Sequence, residues 1–183
     1  MGKIFSLSGA LLGAAMLVLS VAHAATMTHA DYIGSKTRIS ADYKADNATC
    51  TALSANAKDI CVEEAKAKEK VARAELEYGY TGKPNDRHKV LVAKAESAYA
   101  VAKEKCDDKA GNDKDVCVKV AKAIEVKALA DAKMAKAIGE ARKDAADDKR
   151  DADYKVAAEK CDAMAGDAKA GCIAAAKAKF GKN

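Results

Sequence analysis

Residues 106–117 read CDDKAGNDKDVC. Two cysteines enclose ten residues, with Gly111 and Asn112 near the midpoint. On one unbroken helix their Cα atoms would stand about 16 Å apart along the axis. A disulfide needs them within roughly 4.4–6.8 Å. If the chain reverses at the midpoint, the two cysteines face each other across the turn. Glycine supplies the left-handed residue that ends a helix. Asparagine or aspartate beside it is a favoured N-cap for the next. The stretch therefore predicts a tight αα-hairpin, closed by its own cysteines.

The pattern occurs three times. The six cysteines are Cys50, Cys61, Cys106, Cys117, Cys161 and Cys172, and successive pairs are offset by 56 and then 55 residues. Tyr43, Tyr99 and Tyr154 each precede the first cysteine of a pair by seven residues. The midpoints are Ala55-Asn56, Gly111-Asn112 and Gly166-Asp167. Three aligned copies are an internal repeat. Local pairing follows for Cys50 with Cys61, Cys106 with Cys117, and Cys161 with Cys172. Each bond closes a loop of about a dozen residues, for roughly 3 kcal/mol by loop-closure entropy. Seven residues are nearly two helical turns, so each tyrosine shares the face of its cysteine. The three rings are expected across the partner helix, near Lys68, Ile124 and Lys179, with their hydroxyls at the surface.

Composition explains why such straps are needed. Of 183 residues, 44 are alanine, with no tryptophan and one proline, Pro84. Alanine, lysine and glutamate favour helix, but alanine buries little apolar area. The expected fold class is all-α: repeated disulfide-strapped αα-hairpins, elongated or loosely bundled, with long alanine-rich helices. Helices are expected over about 28–54, 57–78 and 86–109, with a linker at 79–85 where Gly79, Gly82 and Pro84 cluster. No firm stop follows the Gly111 turn until Ala165. The fourth helix therefore runs about 75 Å, unless Gly139 kinks it and returns the third hairpin onto the others. Rod and compact bundle both remain open. By repeat, the chain divides into residues 25–80, 81–139 and 140–183.

The first 24 residues read as a secretory signal peptide: Lys3, an apolar run from Ile4 to Leu19, then Ala22-His23-Ala24. That A-x-A pattern places cleavage between Ala24 and Ala25. The mature chain has no integral membrane segment by hydropathy. An even cysteine count at repeated spacing suits an exported protein. The formal net charge is +5, or +4 once Lys3 is removed. Spread along helices, this excess describes a solvated surface laced with i,i+4 pairs.

Signals for chemistry are sparse. Zinc sites favour C-x2-C spacing and nearby histidines, whereas His29 and His88 lie beside no cysteine. The C-x-x-C of a redox catalyst is missing. His88 reads as an exposed residue of a helix start, and His29 as part of a loose N-terminal segment. Asp144, Asp147, Asp148 and Asp151 share one helical face, as a site for a hard cation would. Arg142, Lys143, Lys149 and Arg150 stand among them, so a solvated mixed-charge face is the preferred reading. No G-x-S-x-G, H-E-x-x-H, P-loop or dinucleotide fingerprint occurs, nor a specific nucleic-acid motif. The sequence assigns no catalytic residue, metal or cofactor.

The segments CDDKAGNDKDVCVK and DADYKVAAEKCDAMAGDAKAGC resemble the small exported Ala/Lys-rich proteins of Gram-negative bacteria labelled TolA-like or cell envelope biogenesis protein. The likeness covers nearly all of residues 25–183, and the paired-cysteine repeat is its specific part. It implies a periplasmic location and carries over no activity. The expectation is a non-enzymatic envelope protein with a structural or protein-interaction role. The alternatives are a lysine-rich module for an anionic envelope polymer or nucleic acid, and a metal-sequestering protein.

Overall fold

The computed structural model describes residues 27–182. The cleavage residues Ala22, Ala24 and Ala25 lie outside the described residues. Five α-helices follow one another: α1 (His29–Thr49), α2 (Ala55–Thr81), α3 (Pro84–Cys106), α4 (Gly111–Cys161) and α5 (Gly166–Phe180). A short 3-10 turn, Cys50–Ala52, ends α1. The described residues contain no strand.

The helix ends have local causes. Thr28 and Asp31 form a reciprocal capping box that opens α1. Gly34 leaves that helix uninterrupted. Helix α2 continues through Gly79, Tyr80 and Thr81, so the linker expected at 79–85 shrinks to Gly82 and Lys83. Gly82 adopts φ +62° and stops α2, and Pro84 starts α3 at a position where its missing N–H costs nothing.

Helices α1 to α3 and the first part of α4 stand side by side in a row. Each packs only on its neighbours in the chain: α1 on α2, α2 on α3, α3 on α4, and α5 on α4. The 51-residue α4 runs through Gly139 without a break. The boundary drawn at 139/140 thus falls inside one helix, and the third hairpin does not fold back onto the first two. The open question between rod and bundle is settled toward the elongated form. Alanine dominates the contacts: Ala65, Ala93, Ala95, Ala121, Ala132 and Ala176 are buried, with Leu76 and Val90 the only larger aliphatics among the core residues. The half-cystines Cys50, Cys106 and Cys161 are the most deeply enclosed side chains described.

Candidate functional site

The three disulfides form as expected. Cys50–Cys61, Cys106–Cys117 and Cys161–Cys172 have Cα separations of 5.6, 5.7 and 5.7 Å. Each spans a helix reversal, and such bonds persist in oxidising compartments. The turn itself differs from the sequence expectation in one respect. Gly111 (φ +52°) and Gly166 (φ +55°) do not end the preceding helix; they open the following one. The preceding helices end in right-handed residues at Cys50, Asp107 and Asp162. Then an extended residue, Ser54, Ala110 or Ala165, leads into the left-handed residue. In the first repeat that residue is Ala55, the only described non-glycine residue with positive φ (49°).

The N-cap role expected for Asn56, Asn112 and Asp167 is also corrected. Ser54, Ala110 and Ala165 hold the N-cap position, with no side-chain cap hydrogen bond. Asn112 and Asp167 sit one position inside the helix. Asn56 does something else: its Nδ2 donates to Glu104 O at 3.1 Å and to Asp108 Oδ1 at 2.7 Å. The first turn is thereby tied to the second, because α2 and α3 are antiparallel and bring both turns to one end of the row.

All three repeat tyrosines are half-buried. Tyr43 lies in the crease between α1 and α2 with Ala65 and Lys68. Lys122 Nζ stands 4.8 Å from the Tyr99 ring centroid, half a turn before the expected Ile124. A second aromatic group, outside the repeat, closes the other end of α1 and α2. Tyr32 and Tyr80 stack with centroids 4.4 Å apart. The Tyr32 hydroxyl donates to Glu77 at 2.7 Å. That bond, with the desolvation and charge around it, raises the Tyr32 pKa above the ordinary phenol value. Exposed His29 opens α1 and borders this group, its Nδ1 3.4 Å from the Tyr80 hydroxyl.

His88 is not a free surface imidazole. It is half-buried, and its Nδ1 lies 3.2 Å from Ala132 O, fastening the start of α3 to α4. Two residues earlier, buried Asp86 accepts from Thr81 Oγ1 at 2.6 Å and from Lys89 Nζ at 2.8 Å. The Lys89 bond, then the Thr81 bond, hold its carboxyl below the ordinary range. The Asp86–Lys89 pair is an i,i+3 spacing on α3, but the bonds to Ala132 and Thr81 come from other helices and are not visible from spacing.

An open groove of about 650 Å³ lies between α2 and α3. Val71, Val101 and Ala102 line it, and Lys68, Lys94 and Lys105 edge it. Each of those lysines meets a carboxylate, on Asp46 (3.0 Å), Glu75 (2.6 Å) and Glu64 (2.7 Å). Their charge is spent within the row of helices. Ser97 Oγ is buried beside the groove without a hydrogen-bond partner.

On the aspartate face two of the four carboxylates meet cations, while Asp144 and Asp148 are exposed. Asp147 pairs with Lys143 at 2.8 Å and with Arg150, and Asp151 pairs with Lys182 from beyond α5. Among the described residues, no three histidine, cysteine or acidic side chains converge as metal ligands would. No helix among them is long and apolar enough to cross a membrane. Compared with known families, curated proteins and solved structures, the chain gives no match.

Proposed function

We propose that this chain is a non-enzymatic helical protein of the periplasm that acts as a structural or protein-interaction element of the cell envelope. The observation that carries the reading is the row of locally strapped hairpins built on one 51-residue helix. Such a frame is strapped by disulfides where its apolar core is small, and it presents long helical faces. The signal-peptide pattern of residues 1–24 and the likeness to TolA-like envelope proteins support the location. Engagement of the groove-edge lysines by carboxylates favours a protein partner over an anionic polymer.

The test is crosslinking in intact cells followed by mass spectrometry. The expected result is a chain beginning at Ala25, oxidised at all six cysteines, and joined reproducibly to a defined envelope protein. A cytosolic chain with free thiols would overturn the reading. So would salt-sensitive copurification with a polyanion in place of a protein, since phosphate-dominated binding weakens steeply with salt.

A further inference from the structure

Helix α4 has two apolar faces, and only one of them is covered within the protomer. Ala121 and Ala132 are buried on the α3 side. On the other face, Val116, Val120, Ile124, Met134, Ile138 and Val156 are between 43% and 60% exposed. Val126, 54% exposed, stands on another face, and the six named residues form a line. Eighteen residues make about five turns, so Val116, Met134 and Ala152 stand above one another, as do Val120, Ile138 and Val156. The stripe spans about 60 Å of helix. Between the end of the α3 contact and the start of α5, residues 137–146 are exposed all round. A helical segment without tertiary contacts is marginal by itself, so a covering partner would stabilise this stretch most.

The stripe is complementary to itself. When a second α4 runs antiparallel, centred at residue 136, Val116 meets Val156, Val120 meets Ala152, and Met134 meets Ile138. The flanking charges obey nearly the same register. Asp113 comes beside Lys160 and Asp131 beside Arg142, and the two-fold axis repeats each pair. Among the described residues, Asp113, Asp131, Arg142 and Lys160 have no ion-pair partner within the chain. A patch in which residue i fits j, and j fits i, is the signature of an isologous interface.

We propose that the outer face of α4 binds the same face of α4 in a second copy of this chain, antiparallel and centred near Lys136. In each copy α3 and α5 pack on a face of α4 about a third of a turn round from the stripe. The alanines of the stripe, Ala123, Ala141 and Ala145, allow the helices to come close. A strip about 60 Å long and 10 Å wide buries roughly 1,200 Å² over both copies, the lower bound of stable specific interfaces. The dimer would continue the row of helices with the same alanine-lined packing that builds it.

The test uses the chain purified as it accumulates in the cell, disulfides intact, in analytical ultracentrifugation over about 1–100 μM, a range suited to interfaces of this size. A dimer is expected. Met134→Lys with Ile138→Lys should give a monomer of unchanged helicity. Asp131→Arg should weaken association ~10-fold, because the reversal acts twice by symmetry. Adding Arg142→Asp should restore it. Residues 131 and 142 lie about 16 Å apart along one helix, so rescue reports contact between copies. A wild-type monomer throughout the range would overturn the proposal and leave the stripe to another protein. A dimer indifferent to the Met134 and Ile138 substitutions, or one that the double charge swap fails to restore, would overturn it as well.

Discussion

Asn56 and Asp108 are joined by a 2.7 Å hydrogen bond across 52 residues of sequence. The same amide nitrogen donates to Glu104 O at 3.1 Å, adding a second donor to a carbonyl that already accepts from Asp107 N at the end of α3. One side chain thus holds the first two hairpins in register at their turns. Asn56→Ala should destabilise the chain by about 1 kcal/mol in urea unfolding. Asn112→Ala, at the equivalent place in the second repeat but on the surface, should change stability by less than about 0.5 kcal/mol.

The left-handed residue at each turn offers a second comparison. Ala55 occupies φ 49° where its counterparts are glycine. A Cβ in that region costs roughly 1–2 kcal/mol. Ala55→Gly should therefore stabilise the chain by up to about 1 kcal/mol, after the entropy that glycine gains in the unfolded state is subtracted. A Cβ built at Gly111 or Gly166 meets nothing within 4 Å, so alanine there should cost a similar amount for purely conformational reasons. Equilibrium denaturation of the three single variants measures both signs.

The third disulfide guards the weakest element. Helix α5 has 15 residues and packs only on α4. Isolated helices of that length are marginal in water. Replacing Cys161 and Cys172 together by serine removes roughly 3 kcal/mol of loop constraint. Amide hydrogen exchange should then show α5 losing protection, while α2 and α3 keep theirs. Protection lost uniformly across the chain would instead mean that the hairpins unfold as one unit.

Acid should loosen the α2–α3 junction. The Asp86 carboxyl is held low chiefly by Lys89 and then by Thr81, and Lys143 does the same chiefly for Asp147. A carboxyl lowered on folding contributes stability that is present above its unfolded value, about 3.9. That contribution is lost as pH falls through the lower folded value. Melting temperature should fall as the pH drops below about 4. Asp86→Asn should lower it at pH 7 and flatten the acid limb. An acid limb identical to that of the unmodified chain would assign the loss to other carboxyls.

The repeat, the local disulfides and the helical class were legible from residue order because each depends on near neighbours. Ten residues between two cysteines, a small residue at the centre and helix formers on both sides leave only a reversal that lets the sulfurs meet. The turn residues were read one step out of place. Spacing locates a reversal, but whether glycine closes one helix or opens the next is a matter of backbone dihedrals.

What residue order left open was how the hairpins stand relative to one another, and this the tertiary structure alone decided. Gly139 is compatible with both a kink and a continuous helix, since a single glycine costs a helix only about 1 kcal/mol. Alanine faces carry too little shape to select their partners by pattern. The choice fell to long-range contacts: Asn56 on Asp108, His88 on Ala132, and the ion pairs of α2 with α3. They set the first four helices in a row and leave α4 to run on alone to the third hairpin.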